Sequence, residues 1–203
     1  MKRLASIFTI ALMLGACQNT NQAQAGDNAA AEANVDANAK TTLVAYFSAS
    51  EAHITAQVAK TLAEATDADL FEIVPEKIYT ADDLNWKDEQ SRSTIEMKDS
   101  TARPAVASKV ENMDQYTTIY VGFPIWWYTA PRIVNTFLEQ YDLTGKTIIP
   151  FATSGGSDMG KSGEDLQKAS APGANWILPG KVLNGNPPVD SLKTWIETLP
   201  LTK

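Results

Sequence analysis

Apolar residues along this chain fall into short runs whose spacing switches between two and about 3.6 residues, the signatures of strand and helix. Residues 41–48 (TTLVAYFS) are β-branched and aromatic, which predicts a buried strand. Residues 54–66 follow with Ile54, Val58, Leu62 and Ala65 at helical spacing. Residues 69–74 (DLFEIV) predict a second strand, stopped by Pro75. Residues 75–100 are polar and irregular, longer than a usual connection, so part of this insertion is expected to lie over something. Pro104 suits the first turn of a short helix over 104–113. Residues 117–122 (TTIYVG) predict a third strand, and Pro131 opens a helix over 131–140 with Ile133, Val134, Phe137 and Leu138 on its apolar face. Residues 146–152 (KTIIPFA) predict a fourth strand, although Pro150 is awkward in a central one. A helix over 161–169, a short fifth strand over 175–178 and a final helix over 189–198 complete the pattern.

Strands alternating with helices predict an α/β fold, a doubly wound parallel sheet in one domain. In that architecture ligands sit beyond the carboxyl ends of the strands. The unusual residues of this chain lie at three such ends, 48–55, 123–129 and 152–158. Their convergence on one edge says more than any one segment.

The segment 123–128 (FPIWWY) carries two adjacent tryptophans. Strand alternation sends neighbours to opposite faces, so one core does not take both. In a loop beyond the strand they form a wall for a flat aromatic ligand. A cluster at the edge of the core and a partner interface are the competing readings, because Trp is common in both. At the first strand end, Ser48, Ser50, His53 and Thr55 stand between a strand and a helix. Free N–H groups at the helix start, with hydroxyls, can cradle a phosphate. Lys and Arg are absent from this stretch, which suits a single monoester phosphate better than a triphosphate. Plain N-capping by Ser50 or Thr55 is the alternative. Neither GxxxxGK[ST] nor GxGxxG occurs, so neither a P-loop nor the usual dinucleotide site is expected. Thr153, Ser154, Gly155 and Gly156 form the third loop, where a Gly pair lets backbone approach a ligand closely or simply turns the chain.

With these pieces in place the chain resembles the flavodoxin-like family, in its branch with a YPIWW-type loop. The matching segments are 44–50 (VAYFSAS), 68–73 (ADLFEI), 121–131 (VGFPIWWYTAP), 137–157 (FLEQYDLTGKTIIPFATSGGS) and the LNGNPP tail. The resemblance implies a five-stranded sheet of order 2-1-3-4-5 with FMN held non-covalently at its carboxyl edge. It implies phosphate contacts from Ser48, Ser50 and Thr55. It maps the ring loop onto Pro124, Ile125, Trp126, Trp127 and Tyr128, and a third loop onto Thr153, Ser154, Gly155 and Gly156. The phosphate loop departs from the family pattern: a Gly near Glu51 and Ala52 is missing, and Glu51 adds a negative charge. A carboxylate aimed at a phosphate would weaken binding. His53 can hydrogen-bond the phosphate or balance Glu51. Arg103 can reach the flavin edge or make a salt bridge, and Trp86 with Tyr79 can form a lid or pack the insertion onto the domain.

The N-terminal stretch changes the picture of where such a protein works. Lys2 and Arg3 precede an apolar segment over 4–14, and residues 14–17 (LGAC) follow. This is a signal-peptide pattern whose end resembles a bacterial lipobox. It implies cleavage after residue 16, lipid on Cys17 and a tether over 17–40, leaving a domain over 41–203. Lipid anchoring places the protein in the bacterial cell envelope. Cys17 is the only cysteine, which excludes an internal disulfide and a cysteine nucleophile in the domain. Without residues 1–16 the chain has 15 basic against 24 acidic side chains, a formal charge of −9, which opposes non-specific nucleic-acid binding. A lone histidine excludes a His-rich metal site. The leading expectation is an FMN-dependent oxidoreductase passing electrons from NAD(P)H or a redox partner to a quinone-like acceptor. A one-electron flavodoxin-type carrier is the close variant, and a lipid-anchored binding module that has lost FMN is the alternative from another class.

Overall fold

The structure is a computed structural model and describes residues 40–201. The signal segment expected over 1–16, Cys17 and all but the last residue of the tether expected over 17–40 lie outside the described residues.

The strands are β1 (Thr42–Tyr46), β2 (Asp69–Glu72), β3 (Thr118–Pro124), β4 (Thr147–Thr153), β5 (Asn175–Trp176) and β6 (Lys181–Val182). All pair in parallel in the order 2-1-3-4-5, as expected, with β6 also paired to β4. The helices are α1 (Ile54–Thr66), α2 (Arg92–Lys98), α3 (Arg132–Leu138), α4 (Ser162–Ala169) and α5 (Val189–Glu197), with a 3-10 turn over Met113–Gln115.

The near-continuous apolar strands follow from burial on both faces. Leu43, Ala45 and Phe47 join Ile119, Val121 and Phe123 in a core with Ile133, Val134 and Phe137 of α3. The alternate residues Val44, Tyr46, Tyr120, Ile149 and Phe151 join a second core with Val58 and Leu62 of α1 and Trp195 of α5. Period-two alternation thus divides each central strand between two helical layers.

Pro150 is accommodated by a break in β4's outer partner. The β4 carbonyls of Ile148 and Ala152 accept from Ile177 and Leu183 on that side, where Pro150 has no N–H to give. The outer position is therefore shared by two two-residue strands, not the single strand expected over 175–178.

Two further expectations are corrected. No helix forms over 104–113. Ala105 and Ala107 exchange backbone bonds with Glu76 and Val74, so this stretch runs extended beside the chain that leaves β2 and occupies its free hydrogen-bonding groups. Only the single 3-10 turn follows, and the buried Lys146 ammonium donates to the carbonyls of Met113 and Tyr116 at 3.0 and 2.7 Å. The insertion over 75–100 is not irregular throughout. It contains α2, N-capped by the Ser91 hydroxyl, which accepts from the Thr94 amide. That helix has seven residues, too few to show a stripe in the sequence.

Gly122 faces Phe151 across the β3–β4 pair. A Cβ at Gly122 would lie 2.1 Å from the fully buried Phe151 ring. Gly122→Ala is expected to destabilise the domain by about 1–3 kcal/mol through overpacking. Urea denaturation measures this; an unchanged midpoint would show that the ring moves freely aside.

Candidate functional site

Strands β1, β3 and β4 end at one edge, and the segments that follow them surround a cavity of about 420 Å³. That volume lies within the range of small-molecule sites. Of the expected site residues, Ser50, Thr55, Pro124, Ile125, Trp126, Thr153, Ser154 and Gly155 line it. The same cavity also takes Ala49, Ile54, Asn184 and Gly185, which the sequence reading did not assign. The LNG of the tail was the available signal for the last two: the Asn184 side-chain oxygen accepts from the Ser154 amide at 2.8 Å, tying the tail to the third loop.

At the first strand end Ser48, expected in the site, falls outside the cavity lining, and its hydroxyl is buried without a partner. A buried orphan of this kind needs an explanation. Helix α1 has no side-chain cap, so neither Ser50 nor Thr55 caps it. Its first-turn amides have no partner within the helix. The Thr55 hydroxyl is held 2.7 Å from that of Thr153, which fixes the start of α1 against the end of β4. His53 adopts φ 48° at the N-cap and is exposed, outside the cavity lining. Glu51 and Ala52 are exposed and also outside the lining. Exposure screens Glu51 from the cavity, so the feared carboxylate beside the phosphate position is absent from the lining.

The tryptophan pair separates. Trp126 is half-buried, with ring centroids 5.7 Å from Phe47 and 5.5 Å from Tyr79, both edge-on. Trp126 and Thr129 exchange two backbone bonds of 3.0 Å, closing a two-residue turn. Trp127 and Tyr128 occupy its tip at φ 46° and 62°. Bulky residues in this left-handed region cost about 1–3 kcal/mol each, and such strain persists only where surroundings hold it. Here the Thr129 hydroxyl donates to Asp165 at 2.8 Å, and the Lys161 amide donates to the Tyr128 carbonyl. Gly160 (φ 52°) permits the approach, since a Cβ there would sit 2.5 Å from that carbonyl. Trp127 and Tyr128 are consequently exposed and do not line the first cavity.

In the third loop the Ser154 hydroxyl accepts from the Gly156 and Ser157 amides. Gly156 therefore serves the turn and lies outside the lining, whereas Gly155 lines the cavity and a Cβ there would meet only open space. Arg103 makes a salt bridge with Glu139 and does not line the cavity. Tyr79 packs the insertion onto Trp126, while Trp86 stays exposed.

A monoester phosphate, a flat ring and a polar ring edge are the demands that FMN makes. Ser50, the uncapped α1 amides, the Trp126 and Ile125 wall and the open Gly155 backbone meet them.

Comparisons with known proteins agree with this geometry. Residues 41–199 match the model of a flavodoxin family. The chain belongs to that flavodoxin family. No curated relative matches it. Among solved structures, a protein of Bacteroides uniformis ATCC 8492 described as a flavoprotein is 52% identical, with TM-score 0.72 over 78% of this chain and 98% of that one. A similarly described protein of Bacteroides eggerthii DSM 20697 is 44% identical, with TM-score 0.74 over 80% and 99%. A flavoprotein of Lactobacillus acidophilus NCFM, solved in complex with FMN, is 25% identical, with TM-score 0.54 over 71% and 93%.

Tyr79, which braces Trp126 in this flavodoxin domain, titrates well above the ordinary tyrosine range. Burial is the main cause, followed by its hydrogen bond to the Glu96 carboxylate. Burial also raises Tyr46 and Tyr120 to about 12. A raised folded-state pKa stabilises below the unfolded value of about 10 and loses that contribution as pH rises above it. Denaturation midpoints are therefore expected to hold to about pH 9.5 and fall beyond about 10. Tyr79→Phe should shrink the fall between pH 9 and 11; an identical fall would exclude Tyr79 as its source.

Proposed function

We propose that this protein binds FMN in the first cavity and works as a flavodoxin-type electron carrier. The observation that carries the reading is the convergence of Ser50, uncapped helix amides and the Trp126 wall on one cavity, with the orphaned Ser48 hydroxyl one residue before the lining begins at Ala49. The FMN-bound relative from Lactobacillus acidophilus supports it. Bound there, FMN would supply one- or two-electron redox chemistry, tuned by stacking, burial and hydrogen bonds at the ring nitrogens.

The residues of the chain divide the work. Ser48, Ser50 and the amides at the start of α1 hold the phosphate by hydrogen bonds and the positive helix end. Among the described residues no cation lines this cavity, so the affinity rests on directed donors more than on ion pairing. Ile125 and Trp126 wall the ring, and the backbone of Ser154 and Gly155 with Asn184 borders it. Thr55 and Thr153 set the distance between the two ends. No side chain needs to act as a covalent catalyst; positioning is the contribution of the protein.

An NAD(P)H-dependent oxidoreductase with a quinone-like acceptor is the second reading. A second cavity beside Trp126 favours it, because a carrier that meets only protein partners needs no small-molecule site. Stopped-flow mixing of the FMN-loaded protein with NADH or NADPH separates the two: fast bleaching supports the enzyme, none supports the carrier. The third reading, a module that has lost FMN, predicts no FMN binding at micromolar concentration. For location, residues 14–17 support lipid attachment at Cys17 in the cell envelope. Palmitate labelling in a bacterial host should mark the chain and fail for Cys17→Ser; equal labelling of both would reject it.

The cavity assignment makes the two tryptophans unequal. Trp126→Ala should weaken FMN binding about tenfold, in line with a lost aromatic contact. Trp127→Ala should change it by less than about threefold, since Trp127 does not line that cavity. Quenching of flavin fluorescence measures both. Equal losses, or a larger loss in Trp127→Ala, would overturn the assignment.

A further inference from the structure

The first cavity leaves several costly features unused. Trp86, Trp127 and Tyr128 are large rings exposed by 68%, 43% and 72%. Two of them sit on a turn whose backbone is strained. Ser93, at the second position of α2, is 2% exposed. Its amide donates to Asp83, but its hydroxyl has only the Ser91 hydroxyl for company, at 3.5 Å. Good O–H···O bonds are about 2.5–3.0 Å, so this buried hydroxyl holds its one partner only weakly.

These residues meet at one place. A second cavity, of about 410 Å³, is lined by Leu84, Trp86 and Ser93 of the insertion and by the 125–128 turn. It shares only Ile125 and Trp126 with the first. Among the described residues no carboxylate, ammonium or guanidinium lines it, so a charged ligand would lose its water without gaining a counter-ion. Lys87 lies over the Trp86 ring, 5.3 Å from its centroid, and belongs to the surroundings, not to the lining. Rings on several sides and one weakly bonded hydroxyl specify a flat, neutral molecule with a hydrogen-bond acceptor.

We propose that this second cavity binds an uncharged planar aromatic carbonyl compound of about two fused rings, a size suited to a cavity of this class. The rings of Trp86, Trp127 and Tyr128 contact its faces and edges, and the Ser93 hydroxyl donates to its carbonyl oxygen. Trp126 stands between the two cavities as a shared wall residue. The site requires no flavin, so it goes beyond the cofactor reading and is tested apart from it.

The probes are 2,3-dimethyl-1,4-naphthoquinone, whose blocked ring positions resist attack by the Cys17 thiol, and 2,3-dimethylnaphthalene, which lacks the carbonyls. Equilibrium dialysis against the flavin-free full-length protein should show saturable, one-site binding of the quinone. Trp86→Ala should weaken both probes about tenfold, as loss of an aromatic wall implies. Ser93→Ala should weaken the quinone about threefold to tenfold and leave the hydrocarbon within about twofold, as loss of one hydrogen bond implies. Absence of saturable quinone binding, unaltered binding in Trp86→Ala, or equal losses for both probes in Ser93→Ala would overturn the proposal. Failure of FMN to bind the same protein would sink the cofactor reading and leave this one standing.

Discussion

A parallel sheet covered on both faces leaves little freedom to the side chains of its strands. In β1 and β3 odd residues fill one core and even residues the other, and in β4 the parity is reversed. Chemistry can begin only where the strands stop, and all strands of a parallel sheet stop in the same direction. Every functional feature of this domain follows from that constraint. Ser50, the Trp126 wall and the Ser154–Gly155 backbone come from positions more than a hundred residues apart at the extremes, yet they need no special device to meet. The Thr55–Thr153 hydroxyl pair adds fine control, holding the phosphate end and the ring end in fixed relation.

The β3 turn adds a second layer. Its strained tip sends Trp127 and Tyr128 away from the first cavity while Trp126 remains against Phe47 and Tyr79. One loop therefore serves two cavities with neighbouring residues. The bracing that holds the strain comes from α4 and the Gly160 bend before it. The insertion, through Tyr79 and Trp86, supplies the rest of the outer cavity.

Much of this was legible in the sequence, and for identifiable reasons. Long apolar strands and the stripes of α1 and α3 are strong periodic signals, so the parallel α/β architecture and the site edge followed; the strand order came with the family resemblance. Irregular composition at the three strand ends marked the site. The remainder depended on tertiary partners. The extended path of 104–110 is set by hydrogen bonds to Val74 and Glu76, which no local pattern encodes. Helix α2 is too short for periodicity and owes its start to one serine. Positive φ at Trp127 and Tyr128 runs against the preference of both residue types, so the sequence treated the tryptophans as equivalent. Asn184 joins the site through a single bond to Ser154, from a tail that reads as an ordinary turn.

The central claim is that one carboxyl edge, drawn from four separate segments, holds a single FMN. Titration of isotopically labelled protein with FMN, followed by amide chemical shifts, tests it directly. The account predicts saturable shifts that appear together at residues 49–55, 124–126, 153–155 and 184–185. Shifts confined to 84–93 and 127–128, or no shifts at millimolar FMN, would contradict it.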